Sequence, residues 1–578
     1  MPSSSEIPLV LRFDVFELDI RAGELRKRGT KLRLQGQPLQ VLGALLRRPG
    51  DLVTREEPRA EIWPADTFVD FDHNLHNAIA RIRETLGDSA DSPRYIETLP
   101  RRGYRFIERV DEVKPDNLRS QATVAVLPFV NLSTDSENEF FADGMTEDVI
   151  AHLAKIRSLK VISRTSVMAF KKSSRSRREI GEKLGAATLL EGSVRRAGNR
   201  VRIVAQLINA GTDEHIWADT YDRDLTDIFA IQSDVALNIA NALRAELSPD
   251  ERTRVGRRPT YNFEAYELYL RGRHSFYRFT EEGFRRSLVA FQDAIALDPT
   301  FALAWASVAL THAEFCIEGF VGSSPGEMIR FAKAAAAQAL AIDKDLAEAH
   351  GVSGLIRFVF DYDWLGAESE FQKAIELSPG SAEVHDHYSW LCASLERYED
   401  ALREVRRARE LDPLLIQSDF ATTLLRAGRI NEALEEARRA CRDEPGSPRC
   451  HSILGWTLIF HGDKAEGIAS LNHAVALSPS STLFLSQLGQ ACAVTGDVQR
   501  AREILQQLRD RAEREFVSPY HFAYVYAGLG EADAAIGWLE SAFERRSGAI
   551  YGIKGSFLFR NLRSHPRFEA LLRRMNLA

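Results

Sequence analysis

Apolar and polar positions follow three different rhythms along this chain. At the start, LRFDVFELDI (11–20) and ELRKRGTKLRL (24–34) alternate as half-buried strands do. QPLQVLGALLRR (37–48) then carries an apolar stripe at helical spacing and stops at Pro49-Gly50. A second helix is predicted in VTREEPRAEIW (53–63), where Thr54 and Glu57 are spaced as a capping box and Pro58 weakens the first turn. The third, DHNLHNAIARIRETLG (72–87), has Asp72 as its cap, Gly87 as its stop, and Leu75, Ile79, Ile82 and Leu86 facing inward. YIETLPRRGYRF (95–106) returns to alternation around a turn, which predicts a hairpin. Tyr95, Ile96, Tyr104 and Phe106 are its anchors, Gly103 its turn residue, and Arg105 lies on the exposed side.

The second rhythm is mixed. TVAVLPFV (123–130) reads as a strand and is followed by a loop, an amphipathic helix and the strand SLKVISRTSVMAF (158–170). A helix, a strand, the turn RRAGNR (195–200) and two more strands complete a small α/β domain. Asp143, Glu147 and Asp148 are expected at a helix start, where carboxylates complement the dipole. The basic run KKSSRSRR (171–178) is expected to be a solvated loop.

The third rhythm has a period near 34. AESEFQKAIELSP (367–379), ALREVRRARELDP (401–413) and GIASLNHAVALSP (467–479) share a small residue, a bulky apolar one four on, Ala seven on and Pro twelve on. Pro379, Pro413, Pro445 and Pro479 mark the units, which is the tetratricopeptide signature. Ala374, Ala408 and Ala474 permit close helix approach, while Phe371, Val405 and Leu471 fill the space between repeats. About eight helix pairs are predicted, with a degenerate end at LRSHPRFEALLRRM. Function would lie on the concave groove such a superhelix makes. Polar stretches at 111–121 and 248–262 then divide the chain into regions at 1–110, 122–247 and 263–578. The fold class is therefore multidomain α+β: an N-terminal winged helix-turn-helix, a central α/β domain and a C-terminal all-α superhelix.

Composition narrows the possibilities. The 578 residues are 44% apolar and 27% charged, ordinary for a globular chain. A net charge of −7 argues against a generally basic polyanion binder, and residues 1–110 balance 18 Lys and Arg with 17 Asp and Glu. Any nucleic-acid contact must come from local clustering. Five cysteines without a CxxC pair suit packed, reduced thiols, and no apolar run is long enough to span a membrane, so a cytoplasmic protein is expected. Walker A, HExxH, GxSxG and GxGxxG patterns are absent; GLGEAD (528–533) sits at a helix–helix turn, and His385 and His387 point to different faces of one helix. No enzyme, cofactor or metal is expected.

RRPGDLVTREE, IARIRETLGD and YIETLPRRGYRFI, in that order, resemble the OmpR/PhoB-type C-terminal domain of transcriptional regulators over residues 32–110. The resemblance implies a winged helix whose third helix enters the major groove of double-stranded DNA. The matching positions Asn74, Asn77, Ala78 and Arg81 would face base edges, and His73 and Arg83 phosphates. Pro100 stands where the family's wing usually has Arg, so Arg101 and Arg102 become the wing contacts. The arrangement is CadC-like without its transmembrane helix. AVLPF, FADGMTEDV, LEGSVRR and HIWADTYDRDL resemble the TolB N-terminal-like domain, which implies no established chemistry. The expected function is sequence-specific transcriptional regulation, with the α/β and tetratricopeptide regions binding a protein partner or self-associating, and dimers on paired half-sites. The alternative is an interaction scaffold with a vestigial winged helix.

Overall fold

The computed structural model describes residues 10–19, 24–27, 30–32, 34, 36–54, 71–90, 92–100, 102–108, 110–113, 122–133, 138–317, 325–414, 417–547 and 549–577. It divides into two compact units, residues 1–121 and 122–578.

In the first unit, the early alternation folds as β1 (Val10–Phe13), β2 (Phe16–Asp19), β3 (Glu24–Lys27) and β4 (Thr30–Lys31), joined by β8 (Asp111–Val113) in an antiparallel sheet of order β4-β3-β2-β1-β8. The stripe at 37–48 becomes α1 (Gln37–Leu46), with Leu39, Val41, Leu42, Leu45 and Leu46 buried. After β5 (Leu52–Thr54), the predicted second helix, with Glu57 and Pro58, falls on residues 55–70, outside the described residues. The third is α2 (Phe71–Leu86), which begins one residue before the expected cap Asp72 and ends at Gly87, whose φ of 70° is left-handed. The hairpin pairs β6 (Ile96–Leu99) with β7 (Gly103–Phe106), and β5 adds to the far edge of β7. Phe13, Phe16, Tyr95 and Phe106 pack with ring centroids 5.0–6.3 Å apart, each buried to within 2%. Each such ring contributes roughly 1.5–3 kcal/mol.

The second unit opens with a sheet of order β11-β9-β12-β13-β14, built from β9 (Ala122–Val126), β11 (Leu159–Val161), β12 (Thr188–Ala197), β13 (Arg200–Asn209) and β14 (His215–Asp224), with β10 (Val130–Asn131) beside β12. The first three strands are parallel and the last three form an antiparallel meander. Helix Glu139–Ala154 accompanies the sheet and buries Phe141, Met145, Val149 and Leu153. Eight helix pairs follow among the described residues, from Phe263–Phe276 with Glu281–Leu297 to Pro519–Gly528 with Ala532–Arg545. The small residues do what their spacing requires: Ala374, Ala408 and Ala474 are wholly buried, as are Phe371, Val405 and Leu471. Beyond the last pair, residues 549–577 return as 3₁₀ turns and the helix Pro566–Arg574. Their end docks near the third pair: Trp364 Nε1 donates to Met575 O at 2.8 Å, and Asn576 Nδ2 to Tyr362 O at 3.4 Å.

Candidate nucleic-acid interface

Helix α2 turns Leu75, Ala78, Ile79, Ile82 and Leu86 into the core, and leaves His76, Asn77, Ala80, Arg81 and Glu84 exposed. Ala78 is 3% exposed, so it cannot face a base edge. It lies three residues beyond Leu75 and four before Ile82, on the inward stripe, and Ala80 holds the outward position instead. His76, also outward, was missing from the expected set although it lies one residue before Asn77. His73 and Asn74 belong to α2, but their side chains lie outside the described residues.

The two arginines of α2 differ. Among the described residues, no side chain donates to, accepts from or pairs with the exposed side chains of Asn77 and Arg81. Arg83 is half-buried, and its Nη2 donates to Ile96 O at 2.7 Å and Thr98 Oγ1 at 2.9 Å. The expected phosphate contact is thus a fastener from helix to wing. Asp88, just past Gly87, secures the same junction: its carboxylate accepts from the backbone N–H of Ser89, Arg94 and Ile96 at 3.0, 2.7 and 2.8 Å. Tyr95 donates to Asp14 Oδ2 at 2.6 Å, and Arg94 reaches the same oxygen at 2.8 Å. Burial, reinforced by that carboxylate, pushes the Tyr95 hydroxyl up to about 12.

In the wing, Tyr95, Ile96, Tyr104 and Phe106 are all buried. Pro100 and Arg102 are exposed between the strands, and no partner engages the Arg102 side chain among the described residues; Arg101 lies outside them. Arg105 stands opposite Glu97, 3.5 Å away. Gly103 is not the turn residue but the first of β7. A Cβ there would come within 2.1 Å of Val53 O, so the approach of β5 requires glycine.

The carboxylates of the α/β region are not at a helix start either. The helix begins earlier, at Glu139, and Asp143, Glu147 and Asp148 meet partners far along the chain. Asp143 pairs with Lys171 at 2.5 Å and with His274 at 3.4 Å. Glu147 pairs with Arg164 at 3.3 Å and with Arg273, and accepts from Tyr277 at 3.0 Å. Asp148 accepts from Tyr266 and, at 2.7 Å, from Gln232; burial pushes it up to about 7. The bonds to Tyr266, Arg273, His274 and Tyr277 join the α/β region to the first repeat helix and its C-terminal cap. In the basic run, Lys171 is paired as above and Arg177 bonds Glu191 and Asp213, both at 2.8 Å.

Metal-capable atoms of Glu314, Glu383 and His387 converge within 4.8 Å of one another. Glu383 and His387 are four apart on helix Ala382–Ser394, a signal that comparing the two histidines missed. Burial pushes the Glu383 carboxyl up, and the Arg273 guanidinium works against that rise. His385 instead meets Glu404 at 2.8 Å. Four of the five cysteines are buried, and burial pushes the thiols of Cys316 and Cys392 up to about 12. No described helix is long and apolar enough to cross a membrane.

A protein of Rhizobium meliloti (strain 1021) named "Putative adenylate cyclase 3" is 39% identical over 237 residues, 41% of this chain and 40% of that protein. The chain therefore spans less than half the length of this relative. "Transcriptional regulator HilA" of Salmonella typhimurium is 23% identical over 423 residues, 72% of this chain and 73% of that one. The yeast Tom70 crystal structure covers 60% of this chain and 82% of its own at 14% identity, and its TM-score of 0.36 is too low to assign a fold. Residues 29–106, which hold α1, α2 and the wing, match the family "Transcriptional regulatory protein, C terminal": this segment is an OmpR/PhoB-type regulator domain.

Proposed function

We propose that the chain is a sequence-specific, DNA-binding transcriptional regulator laid out as a DNA reader at 1–110, a TolB-like α/β domain at 122–247 and a repeat array at 263–578. The observation that carries this reading is a set of polar side chains on α2 and the wing, Asn77, Arg81 and Arg102, that have no partner among the described residues, within the segment that matches regulator domains. A guanidinium kept out of internal ion pairs is available for the two acceptors of a guanine edge, and an amide for adenine. His73, Asn74 and Arg101 complete the proposed contact set. The name of the Salmonella relative supports the regulatory reading.

The α/β and array regions bind a protein partner or self-associate, and so control the reader, which works as a dimer on paired half-sites in the cytoplasm. We infer no catalysis, since Asp143, Glu147 and Asp148 are engaged in holding helices together. Selection of duplexes from a randomised library by the full chain, followed by titration between 50 and 200 mM salt, tests the reading. Enrichment of one sequence with salt-dependent affinity is expected. Recovery without enrichment, or no binding at low salt, would favour the scaffold reading.

A further inference from the structure

The groove of the array is already filled, and by the chain itself. Residues 549–562 run as two short 3₁₀ turns across the first helices of the later pairs, with no α-helix among them. Gly555 lies on helix Ala382–Ser394, so close that a Cβ would come within 2.2 Å of Ala393 O. Phe557 sits 6.0 Å from Trp456 and 5.4 Å from Phe460 on helix Pro448–His461. Phe559, wholly buried, stacks on Tyr524 at 5.3 Å and 8° and touches Tyr520 at 5.5 Å, both on helix Pro519–Gly528. Gln490, on helix Thr482–Thr495, grips the main chain by donating to Leu558 O at 2.6 Å. An irregular segment, aromatic seats and a side-chain amide on its backbone are how a helical-repeat groove holds a peptide.

The fit is incomplete, and the gaps have a chemistry. Among the described residues, the indole N–H of Trp456, a residue 3% exposed, has no acceptor, and Gln490 Oε1, on a residue 2% exposed, has no donor. Arg426 keeps a buried Nε without an acceptor among Tyr520, Tyr524 and Tyr551. No carboxylate in the described residues pairs with it. The segment passes Arg426 at Gly552, where an added Cβ would meet no clash, standing 3.8 Å from Nη2 and 3.7 Å from Ser394 Oγ. Unmet buried groups carry an uncompensated desolvation cost, so a ligand that satisfies them competes well with the resident segment.

We propose that the concave face of the last five helix pairs is a docking groove for a partner protein's peptide, held shut in the free chain by residues 549–562. The peptide that fits has an aromatic residue in the Phe559 seat and, about seven residues before it, a carboxylate for Arg426. This rests on the reading that the array receives a protein partner, and its test involves no DNA, so DNA reading can fail without it and the reverse.

The probe is a fluorescein-labelled synthetic peptide of residues 549–564, titrated into the full chain. Phe557→Ala with Phe559→Ala should empty the seats and raise peptide affinity at least tenfold over the unsubstituted chain; adding Tyr524→Ala should abolish the gain. The same peptide with Gly552→Glu should bind at least tenfold better than the native one, an advantage lost in Arg426→Ala. Equal binding to open and unsubstituted chains, no binding to a folded open chain, or no advantage for the acidic peptide overturns the proposal. If circular dichroism shows the open chain unfolded, hydrogen exchange on the unsubstituted chain decides. Amides of 549–562 should exchange at least tenfold faster than those of 482–495, and equal protection makes the segment a fixed part of the core and sinks the idea.

Discussion

Arginines in the DNA-reading segment and in the repeat array are treated in opposite ways. On the array many are tied down, Arg426 being an exception: Arg397 meets Glu368 at 2.7 Å and Asp400 at 2.8 Å, Arg409 meets Glu436 at 2.8 Å, and Arg567 reaches Asp533 and Glu540 at 3.1 and 2.8 Å. Arg81 and Arg102 have no such partner among the described residues. A paired guanidinium has little left for a ligand, and a bare one gives up only water when a ligand arrives. The contrast separates charges that hold the fold from charges kept for binding, and Arg83, two residues from Arg81, falls on the structural side.

Substitutions can break that division, beginning where charge is most deeply engaged. Asp148 has its carboxyl raised from 3.8 to about 7 by burial. A raised acid contributes stability that is whole below its unfolded value, near 4, and is lost as the pH climbs through 7. The loss is on the order of 4 kcal/mol. Asp148→Asn should therefore be no better than the native chain at pH 4 and markedly more resistant to urea at pH 8, with the difference in denaturation midpoint opening between. Next is Arg83→Ala, which removes the bonds to Ile96 O and Thr98. Melting followed by hydrogen exchange in the wing should report a loss of about 1–3 kcal/mol, and every duplex should bind more weakly because the wing is no longer fixed. Arg81→Ala should leave the melt unchanged and cost about 1–3 kcal/mol of discrimination between the preferred duplex and one mismatched at the contacted base. If the two variants behaved alike in both assays, the division would fail.

The array was legible because its packing is local: each Ala at a helix contact repeats near 34 residues. The winged-helix segment was legible by motif, down to the buried anchors Tyr95, Ile96, Tyr104 and Phe106. Ala78 was misplaced although its helical register already put it on the inner stripe. Other features were beyond local reading. Asp148 finds Tyr266 and Gln232 across 118 and 84 residues, and nothing in FADGMTEDV announces either. Arg83 looked like a phosphate contact until the hairpin, 13 residues on, supplied a carbonyl. Residues 549–562 have no period at all; their conformation comes from the groove they lie in.

The smallest effect is the most discriminating test of the array's side of the comparison. Arg397 is 38% exposed and bridges two carboxylates, one on its own helix and one on the previous pair. Exposed ion pairs seldom contribute more than about 1 kcal/mol, because water and side-chain entropy offset the attraction. Arg397→Ala should lower the array's denaturation midpoint slightly, by an amount that shrinks as salt rises toward 1 M. Its DNA affinity should equal that of the native chain at every salt concentration, since its guanidinium is already committed to two carboxylates of the array. A change in the slope of affinity against salt would mean that this arginine contacts phosphate and that pairing inside the array does not withdraw a charge from nucleic acid.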